Sequence, residues 1–311
     1  MTDITSLTSP ANDRLTRSAA FASISVATLL VVLKAWAAWS TGSTAMLGSL
    51  ADTVLDLIAS FATLAGVWVA AQPDDKNHRF GHGKAEALAA MFQVVLIVIS
   101  ALSLGFRAIT QLIAGVRPEA AGDGILVSGI ALAATVALLA WQRHVISRTG
   151  SLAIKTDNVH YRSDLLLNLA VIVALALDQF AGIAGADPFF GLLIAAWLGW
   201  SAWRASQEAM DQLMDHEWPQ EKKDRFLKVL ARHPELRGVH DLRTRTSGNR
   251  DFVQFHVWVD GKMTVTAAHV VMDEIEAKLL AEFPDVEMLI HPDPEGHVDA
   301  GFAGKPVKLT G

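Results

Sequence analysis

The sequence predicts a polytopic α-helical membrane protein with six transmembrane helices, followed by a small C-terminal α+β domain. Hydrophobic residues make up 51% of the 311 positions and charged residues only 19%, and the mean hydropathy is positive. Such a composition indicates that much of the chain lies in lipid. Six stretches of about 20 or more mostly apolar residues are long enough for an α-helix to cross roughly 30 Å of hydrocarbon. They lie near 19–39, 45–71, 86–114, 124–146, 160–182 and 188–208.

The charges of the connecting segments predict the orientation of these spans. Six spans place both chain ends on one side of the membrane. The connectors 73–84 and 142–155 carry six basic residues, whereas those on the other side have little beyond Arg107 and Arg117. Because basic residues concentrate on the cytoplasmic side, both termini are expected there. Residues 1–18 are polar and are expected to form a cytoplasmic segment, and the apolar run behind them is too long for a signal-peptide core.

The chain changes character after Met210. A charged helical stretch lies at 220–232, strands lie near 239–247 and 252–259, a helix near 265–282 and a strand at 286–291. This pattern predicts a small domain of order αββαβ. Side chains alternate along the second strand, so His256 should not point into the helix-packed core. We expect a six-helix transmembrane domain at 19–208, this small domain at 209–296 and a flexible tail at 297–311.

Charge and cysteine content restrict the possible functions. A net charge of −6, without a basic patch interleaved with aromatic residues, argues against a nucleic-acid partner, since phosphate binding needs clustered Lys and Arg. The lack of cysteine excludes disulfides and thiolate metal sites. Any bound metal must therefore be held by His, Asp, Glu or backbone oxygen.

Two of the predicted spans carry matching polar stripes. Their members stand at relative positions 0, 3, 7 and 11, which a helix of about 3.6 residues per turn brings to one face. The second span has Ser49, Asp52, Asp56 and Ser60, and the fifth has Asp157, His160, Asp164 and Asn168. A charged carboxylate at mid-membrane costs roughly 2.5 to 3.5 kcal/mol, so these acids need a compensating partner.

A bound dication would compensate the intramembrane carboxylates. Three carboxylates and one imidazole match a tetrahedral Zn²⁺ site and also accommodate Cd²⁺, Fe²⁺ or Co²⁺, whereas Ca²⁺ takes six to eight oxygen ligands. The alternative is that these groups form hydrogen bonds or ion pairs between helices of the bundle. Lys34 in the first span is expected to extend toward the nearer membrane interface. The predicted ligands are Asp52, Asp56, His160 and Asp164.

Two further groups of candidate ligands lie outside the spans. In the connector PDDKNHRFGHGKAE, His78 and His82 stand four apart with Asp75 three residues before, and the neighbouring glycines let the backbone bend around an ion. The alternative is an ordinary solvated loop. The C-terminal domain offers ligands that only its fold could bring together, the alternative being isolated surface histidines. These candidates are His240, His256, His269, His291 and Asp293.

The candidate ligands lie in the motifs GSTAMLGSLADTVLD, HRFGHGKAE, DNVHYRSD and VHDLRTRTSGNRDFVQFHVWVD. In these motifs the chain resembles the cation diffusion facilitator family, and its bacterial zinc and iron efflux branch, from about Arg14 to Gly296. The resemblance implies a homodimer whose tail domains touch, with an ionic contact between Lys84 and Asp215. It also implies three metal sites: a transport site at Asp52, Asp56, His160 and Asp164, a loop site at Asp75, His78 and His82, and a binuclear cytoplasmic site at His240, His256, His269, His291 and Asp293.

These observations together predict an integral protein of the bacterial inner membrane that exports a divalent metal ion, with Zn²⁺ favoured and Fe²⁺, Cd²⁺ and Co²⁺ as further ions. Protons would compete with the metal for its ligands during alternating access, which describes a secondary active metal/proton antiporter and not an enzyme. A membrane metallohydrolase would need an open metal position and a general base. A carrier of organic solutes would need a roomy pocket, and a membrane-anchored metal sensor would have purely apolar spans.

Overall fold

The computed structural model describes residues 10–41, 44–114, 125–181, 186–233, 236–297 and 307–308. These residues belong to two compact units, of which the larger is Ala11–Met210 and the other contains the residues from Asp211 onward. The larger unit consists of long helices. They are α1 (Pro10–Thr41), α2 (Thr44–Ala70), α3 (Lys84–Ala114), α4 (Ile125–Thr149), α5 (Leu152–Ala181) and α6 (Ala186–Leu213).

Four of these helices are long and apolar enough to cross a membrane in their described residues, namely α1 to α4. Their outer surfaces carry large apolar side chains, including Trp39, which is 91% exposed, together with Trp36 and Phe106. Water would disfavour such a surface, whereas lipid accepts it. Polar and charged residues interrupt α5 and α6, and the count of six spans therefore stays a prediction.

Small residues allow the helices of the larger unit to approach closely. Gly66 of α2 faces α3 so closely that a Cβ atom there would lie 2.3 Å from the Cβ of Ala89. Ala19, Ala153 and Val67 are almost fully buried in a cluster that joins several helices. Close helix contacts of this kind are typical of membrane proteins, where packing replaces the hydrophobic effect.

The second unit is a four-stranded sheet covered by two helices. Its strands have the order β3-β2-β1-β4, with β1 antiparallel to β2 and to β4, and β2 parallel to β3. Phe226, Phe255 and Leu279 belong to the core between sheet and helices. The elements are α7 (Gln220–Leu230), β1 (Gly238–Ser247), β2 (Arg250–Val259), α8 (Val265–Glu282), β3 (Val286–Pro294) and β4 (Val307–Lys308).

The order α7-β1-β2-α8-β3 agrees with the predicted αββαβ arrangement. The parallel pairing of β2 with β3 requires a crossover, which α8 supplies. The two-residue strand β4 lies in the segment predicted as a flexible tail, where it pairs with Gly238 and Val239. A bulge interrupts β1 between His240 and Arg243.

Candidate metal sites

The first candidate site lies between α2 and α5. The Nε2 atom of His160 is 2.7 Å from Oδ1 of Asp56, and one ligand atom from each of Asp56, His160 and Asp164 lies within 4.8 Å of the others. Zinc bonds to nitrogen and oxygen are about 2.0 to 2.2 Å long, so small rotations would bring these three atoms onto one ion. His160 is buried and both carboxylates are partly buried. The helices thus present three of the four predicted ligands to one point.

Asp52, the fourth predicted ligand, does not share that neighbourhood. Its side chain is 60% exposed, and its Oδ2 atom lies 3.9 Å from Nη1 of Arg107 on α3. The Nζ atom of Lys34 donates a 2.6 Å hydrogen bond to Oγ1 of Thr53, and Lys34 also interacts electrostatically with Asp164. Lys34 thus contacts groups of the neighbouring helices, and the expectation that it extends toward the membrane interface stays a prediction. Arg107, which the sequence analysis counted with the connectors, lies within α3. The sequence analysis missed both cations as neighbours of the site, although an isolated cation in an apolar helix signals that an acid lies nearby.

Asp157 belongs to the predicted stripe but serves as a hydrogen-bond acceptor between helices. It is fully buried, and its Oδ2 atom accepts from Ser23 Oγ at 2.6 Å and from Gln142 Nε2 at 2.8 Å. Its Oδ1 atom accepts from Gln93 Nε2 at 3.0 Å. These donors come from α1, α4 and α3. The alternative of interhelical hydrogen bonding thus holds for Asp157, whose two oxygens are both engaged.

Ser60, another member of the polar stripes, joins two helices by a hydrogen bond. The hydroxyl of Ser60 is 2.9 Å from that of Tyr161, which makes a second hydrogen bond between α2 and α5. The side chains of Ser49 and Asn168 lie outside the described part of the structure. The polar stripe therefore combines candidate metal ligands with groups that join helices.

The second candidate site is the connector between α2 and α3. Oδ1 of Asp75 is 3.2 Å from Nδ1 of His78, and its Oδ2 is 3.6 Å from Nε2 of His82. The backbone N–H groups of His78 and Asn77 donate 2.7 Å hydrogen bonds to the same carboxylate, and they lower the pKa of Asp75. Gly81 adopts a φ of 75°, which favours glycine. The turn holds an ionised carboxylate beside two imidazoles.

The third candidate site lies on the sheet of the second unit. Strand pairing aligns His240 of β1 with His256 of β2, and His256 with His291 of β3. Nε2 of His240 and Nδ1 of His256 lie 3.2 and 2.9 Å from Oδ2 of Asp293. Burial lowers the pKa of His240, which favours the neutral imidazole that metal binding requires.

The other oxygen of Asp293 faces a different imidazole. Its Oδ1 atom lies 3.4 Å from Nε2 of His291, whose ring is 4.6 Å from that of His256. A carboxylate with imidazoles on both oxygens suits a pair of ions that share it.

The structure does not bring the fifth predicted ligand, His269, into this group. It stands on the surface of α8, with its side chain 77% exposed and 3.8 Å from Asp273, and it lines a cavity of ≈ 440 Å³ that Asp293 also lines. Asp215, which the resemblance pairs with Lys84, lies 3.3 Å from Arg245 in the second unit. The contact with Lys84 stays a prediction.

Comparison with known proteins gives these sites a context. Residues 20–214 match the model of the cation efflux transmembrane domain, and residues 218–295 match that of the cytoplasmic domain of cation efflux proteins. The cation-efflux pump FieF of Klebsiella pneumoniae is 40% identical over 294 residues, which cover 94% of this chain and 97% of that protein. Protein p34 of Rickettsia prowazekii is 33% identical over 283 residues, covering 91% and 94%.

Two solved structures are similar to about a quarter of the chain. The zinc form of the putative zinc transporter CzrB is 36% identical and covers 28% of this chain and 99% of that one, with a TM-score of 0.26. The metal-bound C-terminal domain of the CzcD transporter from Thermotoga maritima is 31% identical, covering 26% and 100%, with a TM-score of 0.25. The family models and the full-length relatives confirm the resemblance seen in the motifs. The chain therefore belongs to the cation diffusion facilitator family, in the branch of the FieF pumps, and is an integral membrane protein that exports divalent metal cations.

Proposed function

We propose that this protein exports Zn²⁺ in exchange for protons, with Fe²⁺, Cd²⁺ and Co²⁺ as further cargo. The convergence of Asp56, His160 and Asp164 on one point between α2 and α5 carries the proposal. Asp52 stands one turn before Asp56 on the same face of α2, and residues so spaced lie about 5 to 6 Å apart at Cβ. It completes the ligand set by turning from Arg107 toward the ion.

The ligand chemistry supports Zn²⁺ over other divalent ions. An imidazole with carboxylates is a borderline ligand set, which suits Zn²⁺, Fe²⁺ and Co²⁺, whereas Mn²⁺ and Mg²⁺ prefer oxygen alone. Four ligands also match the tetrahedral geometry that Zn²⁺ adopts. Competition between ions in a flux assay tests this order, and preference for Mn²⁺ over Zn²⁺ would contradict it.

Exchange with protons follows from the requirement that ligands be deprotonated to bind metal. An imidazole takes up a proton close to neutral pH, so a proton arriving at His160 competes directly with the ion. Alternating access makes this competition productive, because protons then enter from the side to which the metal leaves. We place both termini in the cytoplasm and the protein in the bacterial inner membrane, as the basic residues of 73–84 and 142–155 suggest.

The other two sites are proposed to bind metal on the cytoplasmic side. Asp293, with His240 and His256 on one oxygen and His291 on the other, holds two ions. The match to the dimeric cytoplasmic domain supports a homodimer, and His269, which lines the same cavity as Asp293, is proposed as a further ligand of the second ion. The domain then acts as a sensor whose loading favours the transport-competent dimer, and the loop site of Asp75, His78 and His82 supplies ions to the pathway.

The central experiment measures Zn²⁺ flux in proteoliposomes with an imposed pH gradient. Asp52→Ala and Asp164→Ala should abolish flux while the purified dimer remains folded, and collapse of the gradient should stop flux through the unmodified protein. The matched control is Asp211→Ala, which removes an acid at the end of α6 outside all three sites. Undiminished flux in Asp164→Ala would overturn the assignment of the transport site. Metal-dependent association that survives His240→Ala with His291→Ala would overturn the sensor role.

A further inference from the structure

Arg107 is a cation in an apolar helix, beside a carboxylate that the proposed transport site needs. The sequence around it, ALSLGFRAITQLIA, has no other charge. Its Nη1 atom lies 3.9 Å from Oδ2 of Asp52. A guanidinium in lipid requires an acidic partner or access to water, and this contact supplies the acid.

The contact also accounts for the position of Asp52 outside the ligand cluster. Asp56 approaches His160 at 2.7 Å, whereas Asp52, one turn away on the same helix, faces Arg107. At 3.9 Å the contact is an ion pair and not a hydrogen bond, and its attraction favours a position of the Asp52 carboxylate toward Arg107 over one toward the ion. The metal and Arg107 therefore compete for Asp52.

The position of Arg107 along α3 places it between the proposed transport site and the outer surface of the membrane. Arg107 is 23 residues (107 − 84) after Lys84, the first residue of α3, or about 35 Å along the axis at 1.5 Å per residue. Asp52 is 18 residues (70 − 52) before Ala70, the last residue of α2, or about 27 Å along its own axis. Ala70 and Lys84 flank the connector between α2 and α3. Asp52 and Arg107 therefore lie far from this connector, toward the opposite surface of the membrane.

We propose that Arg107 is a positioning residue that promotes release of the metal, acting as an internal cation that takes Asp52 away from the ion. This inference rests on the proposed transport site. Arg107 holds Asp52 aside when no ion is bound, and it reclaims Asp52 as the ion leaves toward the outer surface. The affinity of the site is thereby kept low enough for rapid turnover.

The test uses the full-length dimer with His78→Ala and His256→Ala, which weaken the other two sites. Zinc binding is measured by calorimetry, and flux by initial rates in proteoliposomes. Arg107→Gln should bind Zn²⁺ about fivefold more tightly, the change expected when the attraction between a guanidinium and a carboxylate 3.9 Å apart in well-solvated surroundings no longer competes with the ion for Asp52. Its maximal flux should fall by a similar factor. Arg107→Lys, which keeps the charge, should restore both values to within about threefold of the parent.

Three controls make the outcome specific. Arg204→Gln removes another arginine of the bundle, which contacts Trp200 and lies on α6, and it should change neither binding nor maximal flux beyond twofold. In an Asp52→Asn background, Arg107→Gln should have no further effect on affinity, because the arginine acts through that carboxylate. A merely structural role would reduce binding and flux together, and would show as a lower unfolding temperature.

The proposal is overturned if Arg107→Gln leaves the Zn²⁺ affinity within twofold of the parent or weakens it. It is also overturned if the tightening persists in the Asp52→Asn background. If Arg107→Gln does not fold, the comparison of Arg107→Lys with Arg107→His at pH 8 decides in the same way, since histidine is then neutral. Asp56→Ala distinguishes failure of the proposed transport site from failure of the proposed role of Arg107. Retained Zn²⁺ binding in that variant refutes the transport site itself, whatever Arg107 does.

Discussion

Replacing Asp157 by alanine tests whether the buried polar layer beside the proposed transport site holds the helices together. The change removes the acceptor for Ser23, Gln93 and Gln142 at once. These donors belong to three other helices, and Asn158 continues the layer by donating to Gln142 at 2.9 Å. We expect the variant to lose stability because three buried hydrogen bonds between helices are lost, even though each donor keeps a second partner.

The loss can be estimated from the three hydrogen bonds. A side-chain hydrogen bond between membrane helices contributes about 0.6 kcal/mol on average and at most about 1.7 kcal/mol. Three bonds therefore give a loss of about 2 kcal/mol in the free energy of unfolding, with an upper bound of about 5 kcal/mol. Asp157→Asn should lose less than half as much, since its amide still accepts from one glutamine and can donate to the hydroxyl of Ser23.

The assay is reversible denaturation of the purified full-length protein in mixed micelles, with Zn²⁺ binding measured in parallel. Glu208→Ala is the matched control, because it breaks a half-exposed ion pair with Lys155, a kind of contact that contributes about 0 to 1 kcal/mol. Equal stabilities of Asp157→Ala and Glu208→Ala would refute the role of the layer. Loss of Zn²⁺ binding by a fully stable Asp157→Ala would show that Asp157 is a metal ligand instead.

Three further predictions concern the two units separately. Asp251→Ala should lower the free energy of unfolding of the second unit by about 1 to 3 kcal/mol, since its carboxylate accepts from Trp218 Nε1 at 2.9 Å; loss of the near-ultraviolet signal of that tryptophan reports it. Burial and the charge of Asp251 raise the pKa of Asp285, so its ionisation opposes folding as pH rises above 3.8. Asp285→Asn should then be more stable than the parent at pH 7 and lose that advantage below pH 3.8, in urea titrations at each pH. Gly66→Ala should destabilise the bundle by about 1 to 3 kcal/mol through its overlap with Ala89, seen as a lower unfolding temperature.

Helical spacing predicted the shared faces of the polar stripes but not the partners of their members. Asp56 and Asp164 meet His160, whereas Asp157 meets hydroxyl and amide groups of other helices. Position along a helix fixes the direction of a side chain, but its neighbour depends on which helices pack there and at what height. Arg107 was missed for the same reason, because Asp52 is distant from it in sequence.

The second unit was more predictable, because strand alternation is a local property. His256 was expected on the face away from the helices, and it is partly exposed while its neighbours Phe255 and Val257 are buried. The alignment of His240, His256 and His291 could not be predicted in this way, because it depends on the register of β1 with β2 and of β2 with β3. The pairing of β4 depends on residues far away in the chain, and no local pattern indicates it.

The exposure of the three sites implies different affinities. Asp75 and His78 are 51% and 57% exposed, so water competes for the carboxylate and a bound ion gains little from the protein. Asp293 and His240 are 5% and 1% exposed, and an ion there meets ligands that have already lost their water. Two ligands of the proposed transport site lie between these cases, with Asp56 at 16% and His160 at 7%. Export of a metal ion requires an intermediate affinity. An ion held as firmly as at Asp293 would not leave, and one held as loosely as at Asp75 would not be selected.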